Sequence, residues 1–390
     1  MSRAQPEPDE RARAAGAGPL RGLRVLEFAG LAPVPFCGML LADLGAEVLR
    51  IDRRGVAPMP PVDVLGRGKR SVALDLKRPE AVAACLDLVA SADALLEGYR
   101  PGVMERLGLG PDAVLARNPK LVYGRLTGWG QAGPKASEPG HDINYVALSG
   151  ALEAIGTPER PVPPLNLLGD FAGGALYLAF GVLAALRHAE QTGEGQVVDC
   201  AMVDGAASMM SLFSGLRASG MWNGPRGANL LDGGAPFYGV YECADGGFMA
   251  VGALEPPFHA RLLEVLDLPA EDFQPQMDPA AWAQRRERVA AAFRTRSRGE
   301  WTALFEGSDA CVTPVLSLAE APMHPHNAAR RTFIEVDGLT QPTPAPRFSA
   351  TAGRIRAPAP PVGAESSRAA LESWGFSTDA VDALAAAGAL

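Results

Sequence analysis

The sequence predicts an α/β protein: a parallel sheet with helices on its faces, joined to a smaller α+β unit. Three observations carry that expectation. The folded part opens on a strand–helix–strand pattern, an α/β rhythm then holds to about residue 131, and hairpin-like alternation returns near residue 240. "LRVLEFAG" (23–30) is a near-continuous apolar run suited to a strand buried on both faces. "PVPFCGMLLADLG" (33–45) reads as a helix opened by proline and closed by glycine, and "AEVLRID" (46–52) as the strand completing a βαβ unit.

"SVALDLK" (71–77) and "DALLEGY" (93–99) are further strands, on either side of a helix "PEAVAACLDLVASA" (79–92). "LVYGRLTGWG" (122–131) is a strand running into a glycine-rich loop, and "NYVALSGALEAIG" a helix or a pair of turns. The apolar segment from Gly169 to about Arg187 is expected to be a buried helix, too short to span a bilayer. "GQVVDC" follows as a strand, then another helix. "GVYECADGGFMAVGAL" (239–254) alternates around "ADGG", a hairpin signal, and helical material rich in Ala, Arg and Glu runs from Pro256 to about Phe305. The stretch 331–366, rich in Pro and Ala, is expected to run extended along a surface, and "DAVDALAAAGAL" to end the chain as a short helix.

Composition narrows the function. A chain of 390 residues is long for one core, so two domains are expected. A net charge of -8 argues against nucleic acid as the main partner, while leaving room for a local basic pocket. Cys37, Cys85, Cys200, Cys243 and Cys311 show neither CxxC nor metal spacing, which fits reduced thiols in a cytoplasmic protein. "MSRAQPEPDERARAAGAG" has no apolar core, so it reads as a disordered extension rather than a secretory signal. No GxGxxG follows the first strand, which disfavours NAD and FAD. Walker, GxSxG and HExxH motifs are also missing, and His324 and His326 sit in a proline-rich loop, so no metal is expected.

Three ionisable residues lie beside glycine or proline in apolar surroundings: His141 in "EPGHDINY", Asp170 in "PPLNLLGDFAGG" and Glu255 in "AVGALEPPF". A carboxylate in such a setting needs a partner. By residue type alone, Asp170 reads equally as the N-cap of the helix that follows, Glu255 as a cap or surface acid, and His141 as a hydrogen-bonded loop residue. Basic residues gather near the ends of the early strands, where ligands of open α/β sheets bind. They include Arg53, Arg67, Lys69, Arg100 and Arg106.

Taken together, "GLRVLEFAGLAPVPFCGMLLADLGAEVLRIDR", "LLEGYRPGVMERLGLGP", "GHDINYVALSG", "PVPPLNLLGDFAGG", "GEGQVVDCAMVDG", "NLLDGGAPFYGVYECADG" and "SDACVTPVL" resemble the class III CoA-transferase (CaiB/BaiF) family, and within it the branch of racemases. The matching stretches span residues 19 to about 350. The resemblance implies a Rossmann-like large CoA-binding domain over 19–200, a linker helix and crossing segment over 201–234, a small domain over 235–325 and a C-terminal return to the large domain over 326–390, after an extension over 1–18. It also implies an interlaced homodimer, with the active site between the large domain of one subunit and the small domain of the other.

The implied activity is interconversion of (R)- and (S)-2-methylacyl-CoA thioesters, with CoA as the carrier part of the substrate and no separate cofactor. His141 and Asp170 would be the two acid–base groups facing the α-carbon, His141 taking the S-substrate proton and Asp170 the R-substrate proton, with Glu255 supporting the histidine. Backbone N–H groups around Asp170 to Gly173 would stabilise the enolate oxygen. Arg53 and Arg106 would contact the CoA phosphates, Arg67 and Lys69 the adenosine end, and Leu74, Tyr145 and Asn166 would line or support the site. The alternative within the family is a CoA-transferase using Asp170 as nucleophile. That branch usually lacks the histidine, so His141 favours the racemase.

Overall fold

A six-stranded, all-parallel sheet organises the larger part of the molecule, in the order β3-β2-β1-β4-β5-β6. The computed structural model describes residues 18–56 and 62–390, so the expected extension over 1–18 lies, except for Gly18, outside the described residues. The strands are β1 (Arg24–Phe28), β2 (Glu47–Arg53), β3 (Arg70–Leu74), β4 (Ala94–Glu97), β5 (Val122–Thr127) and β6 (Gln196–Ala201). The order reverses between β1 and β4, and in open α/β sheets this switch point is where ligands bind.

Helices cover both faces, as the buried strands require. Helix α1 (Pro33–Asp43) has proline in its first turn and is apolar on nearly every side, which suits full burial. Helix α2 (Pro79–Val89) instead buries one stripe, Ala81, Ala84, Cys85, Leu88 and Val89, at helical spacing. Helix α3 (Asp142–Leu148) follows the glycine-rich loop after β5. The apolar segment forms one continuous helix, Leu167–Thr192, long and apolar enough by length and composition to cross a membrane. Its first part, Leu167–Leu176, is π-helical, and the rest is helix α4 (Tyr177–Thr192), closed by Gly193 in the left-handed conformation. It is not buried as expected: Leu178, Val182, Ala185 and Ala189 face the fold, but Phe180 is 74% exposed. Helix α5 (Met202–Met209) follows β6.

The chain divides into two compact units. The large unit takes the chain through Val146, then Leu165–Ser208 and Ala328–Leu390. The smaller takes Ala147–Pro164 and Met209–Asn327. The excursion Ala147–Pro164 thus departs from a large domain running unbroken over 19–200. The smaller unit holds an antiparallel sheet in the order β9-β8-β7, with β7 (Tyr238–Glu242), β8 (Phe248–Gly252) and β9 (Val312–Pro314). The expected hairpin joins β7 to β8, closed by the Cys243 amide on the Gly247 carbonyl at 2.8 Å. Helices Pro256–Val265, Pro279–Phe293 and Arg298–Phe305 pack Trp282, Phe293, Trp301 and Phe305 around that sheet.

The C-terminal return is more structured than an extended tail. Phe333–Val336 and Leu339–Pro342 form a hairpin around Asp337-Gly338, both at positive φ as a tight primed turn demands. Helix Ala364–Ser373 then lies on β3, where the Ser367 hydroxyl accepts the Ala73 amide at 2.9 Å and caps a free edge of the sheet.

Candidate active site

A cleft of about 460 Å³ opens where the ends of β1 and β4 diverge, at the switch point of the large unit. Its walls are Gly30, Leu31, Pro33 and Val34 after β1, Gly98 to Pro101 after β4, Leu126 to Trp129 at the end of β5, and Met202 after β6. His141, Tyr145 and Asp170 line the same cleft.

Each is held by local chemistry. The Asn144 side chain accepts the His141 amide at 3.0 Å while its own amide donates to the His141 carbonyl at 2.8 Å. The backbone is fixed and the His141 side chain left exposed. Tyr145 is buried edge-on against Trp129, ring centroids 4.8 Å apart. Glycine at 128 and 140 makes room for it: a Cβ would lie 2.0 Å and 2.6 Å from the ring. Burial pushes the Tyr145 phenol up, and the Asp170 charge adds to that.

Asp170 lies in the first turn of the π-helical segment, a geometry often found at functional sites. That segment is locked by close backbone packing on α5, where a Cβ on Gly205 would fall 1.9 Å from the Gly173 carbonyl oxygen. The Asp170 carboxylate accepts from Asn166 Nδ2 at 3.2 Å, and its amide donates to Asp142 Oδ1 at 2.6 Å. Burial raises the Asp170 carboxyl above the ordinary carboxylate range. The Asn166 hydrogen bond opposes that, the Asp142 charge adds to it, and His141 opposes it.

Two expectations change here. Asp170 is not an N-cap, since Asn166 precedes the helix. The Asp170 amide is bound to Asp142, so it is not a free donor for an enolate oxygen.

The expected CoA residues separate into two groups. Arg53 lines a cavity of about 320 Å³ at the ends of β2 and β3 with Arg54, Lys77, Asp52, Asp75 and Tyr99. Leu74 forms part of that lining from the core, and Arg106 is exposed beside its Leu107. Arg67 and Lys69 are placed otherwise. The Arg67 guanidinium, 3% exposed, donates to both oxygens of Asp43 and, at 2.8 Å each, to Gln341 Oε1 and the Pro342 carbonyl. Lys69 is enclosed, with Nζ on both oxygens of Glu27 and on the Pro35 carbonyl at 2.9 Å. Neither presents a charge to a ligand, because each is neutralised inside the fold. Glu255 belongs to the smaller unit, exposed before helix Pro256–Val265, and its side chain makes no capping bond.

A parallel sheet with its cleft at the switch point, built from these motifs, matches one family. The model of CoA-transferase family III aligns with residues 20–366. The chain belongs to that family. Its sequence is 49% identical to the alpha-methylacyl-CoA racemase of Mus musculus over 93% of this chain and 95% of that protein. It is 46% identical to the alpha-methylacyl-CoA racemase of Homo sapiens, again over 93% and 95%. The crystal structure of Rv3272 from Mycobacterium tuberculosis superposes with a TM-score of 0.75 at 29% identity, covering 89% of this chain and 98% of that one.

Two residues of this site were not singled out from sequence. Tyr99 lines the cleft just past β4, beside the Arg100 that strand-end reasoning marks for ligands. Asp142 was visible beside His141 in "GHDINY", yet its bond to Asp170 crosses 28 residues and no local pattern announces it.

Proposed function

We propose that the chain is a racemase interconverting (R)- and (S)-2-methylacyl-CoA thioesters by proton transfer through an enolate. One observation carries this: an imidazole, His141, and a carboxyl, Asp170, line one cleft at the end of the sheet in a chain half identical to a racemase. Inverting the α-carbon requires one proton to leave and one to arrive on the opposite face. In one direction the neutral His141 takes the α-proton of the S-thioester, and protonated Asp170 delivers its own to the enolate. In the other, the Asp170 carboxylate takes the proton and the His141 imidazolium returns one.

The two starting forms differ only in where one proton sits. An ordinary imidazole and carboxyl differ by about 2.6 pK units, so the form with the proton on the acid lies about 3.5 kcal/mol higher. The upward shift of the Asp170 carboxyl by burial narrows that gap. Arg53 and Arg106, exposed near the ends of β2 and β4, are proposed to hold CoA phosphates. The chain is further proposed to act as a homodimer. Leu167, Leu176 and Phe180 along one helix are exposed at 54%, 48% and 74%, an apolar surface that a second copy would cover.

The test is incubation of either enantiomer of a 2-methylacyl-CoA in deuterated water. Racemisation with α-deuterium incorporation and no acyl acceptor is the expected result. An acyl or CoA adduct on Asp170, trapped with hydroxylamine during turnover, would instead establish the transferase.

A further inference from the structure

Asp142 stands next to both proton-carrying groups without being either of them. It follows His141 directly and opens α3, and its side chain turns into the fold, 7% exposed. Oδ1 accepts the Asp170 amide at 2.6 Å. Oδ2 is enclosed and has no hydrogen-bond partner among the described residues. Gly169 completes the contact, since a Cβ there would fall 2.5 Å from Oδ1. The carboxylate therefore rests against bare backbone of the π-helical segment. A buried carboxylate with an unpartnered oxygen is costly. Stability alone does not call for it, because asparagine would accept the same N–H bond with its side-chain oxygen. What asparagine lacks is the charge.

We propose that Asp142 is a positioning residue that acts through Asp170: its carboxylate pins the Asp170 backbone beside His141 and presents a like charge to the Asp170 carboxyl. The inference rests on the racemase reading above. The groups facing Asp170 are His141, Asp142 and Tyr145 from the loop and α3, Asn166 from its own segment, and Arg100 and Glu138 on the cleft wall. Asn166 and His141 favour the carboxylate form, whereas Asp142 favours the protonated one. Between the two proton transfers, enolate, imidazolium and protonated Asp170 coexist. A charge that keeps the proton on Asp170 stabilises that state, and both directions pass through it.

The experiment is the pH profile of kcat/KM for α-deuterium exchange in the full-length protein, with Asp142→Asn and Asp142→Ala beside the wild type. Asp142→Asn keeps the acceptor and removes the charge. Its acid limb is expected to move down by about one pH unit, and kcat/KM to fall about tenfold at neutral pH. Asp142→Ala also frees the Asp170 backbone, and a loss of about a hundredfold is expected from misplacement alone. Gly169→Ala, which drives Oδ1 away from the segment, should move the limb in the same direction and decides the matter if Asp142→Asn fails to fold. An acid limb left at its wild-type position overturns the proposal, even if activity falls, because a purely structural role lowers the rate without moving the limb. A wild type without exchange would remove the racemase reading and this inference together; an active wild type with an unmoved limb removes this inference alone.

Discussion

At Asp170 the features that suit the reaction work against stability. The folded state raises its carboxyl above the ordinary value, chiefly by burial, so the folded chain binds that proton more tightly than the unfolded chain. As pH rises from the ordinary carboxylate value through the raised one, the unfolded chain gives up its proton first and stability falls; above that window the penalty is complete. Asp170→Asn removes the penalty. Its thermal midpoint near neutral pH is expected to exceed that of the wild type, the difference vanishing below about pH 3.9. Exchange activity should drop by about 10² to 10⁴, the usual contribution of a general acid–base group. A variant whose midpoint falls at neutral pH would show that the carboxylate holds the segment together and does not strain it. His141 and Asp170 were legible because each is an ionisable residue set among glycines and apolar neighbours. The roles of Arg67 and Lys69 were not: Asp43 and Glu27, which neutralise them, lie 24 and 42 residues away, and Gln341, a further acceptor for Arg67, lies 274 residues away.

Secondary structure was legible wherever one period dominated. The strands of the large sheet and helices α1 and α2 lie where apolar runs and proline–glycine punctuation place them. The hairpin at Asp337-Gly338 escaped although its signal is local, because a proline- and alanine-rich background suggests extended chain. The π-helical turn around Asp170 escaped for a different reason. Its wider winding is set by packing on α5, and apolar periodicity over ten residues does not separate it from an α-helix. That packing has a testable core. Gly205→Ala would place a methyl 1.9 Å from the Gly173 carbonyl oxygen, which only backbone movement relieves. A loss of about 1 to 3 kcal/mol is expected in denaturant unfolding, together with reduced exchange, since the displaced segment carries Asp170. Gly215→Ala is the control: it sits mid-helix in Ser211–Ala218 with nothing within 4 Å of a Cβ, and is expected to be neutral or stabilising by up to about 1 kcal/mol. Equal losses in both would mean that alanine is harmful for reasons unrelated to the crossing.

At the scale of the whole molecule, the large unit supplies His141 and Asp170, while Glu255 belongs to the smaller unit. On the dimer proposal, the Glu255 that supports a given His141 comes from a second copy, and the helix Leu167–Thr192 gives that copy an apolar surface to cover. Light scattering of the wild type should give twice the chain mass of 40.7 kDa. Phe180→Glu, a charge in place of an apolar side chain 74% exposed in the single chain, should shift the mass toward the monomer. Mixing tests the site more sharply. His141→Ala and Glu255→Ala each lack one group, so each homodimer is expected to be nearly inactive. If a site draws its histidine from one subunit and its glutamate from the other, a mixed dimer contains one intact site and one lacking both groups. Random co-assembly should then restore about a quarter of wild-type exchange, half the dimers being mixed and each carrying one working site. If histidine and glutamate act within one chain, both sites of the mixed dimer lack one group and mixing restores nothing. Recovered activity therefore counts the chains that build one active site, and failure to recover it would confine the chemistry to a single chain.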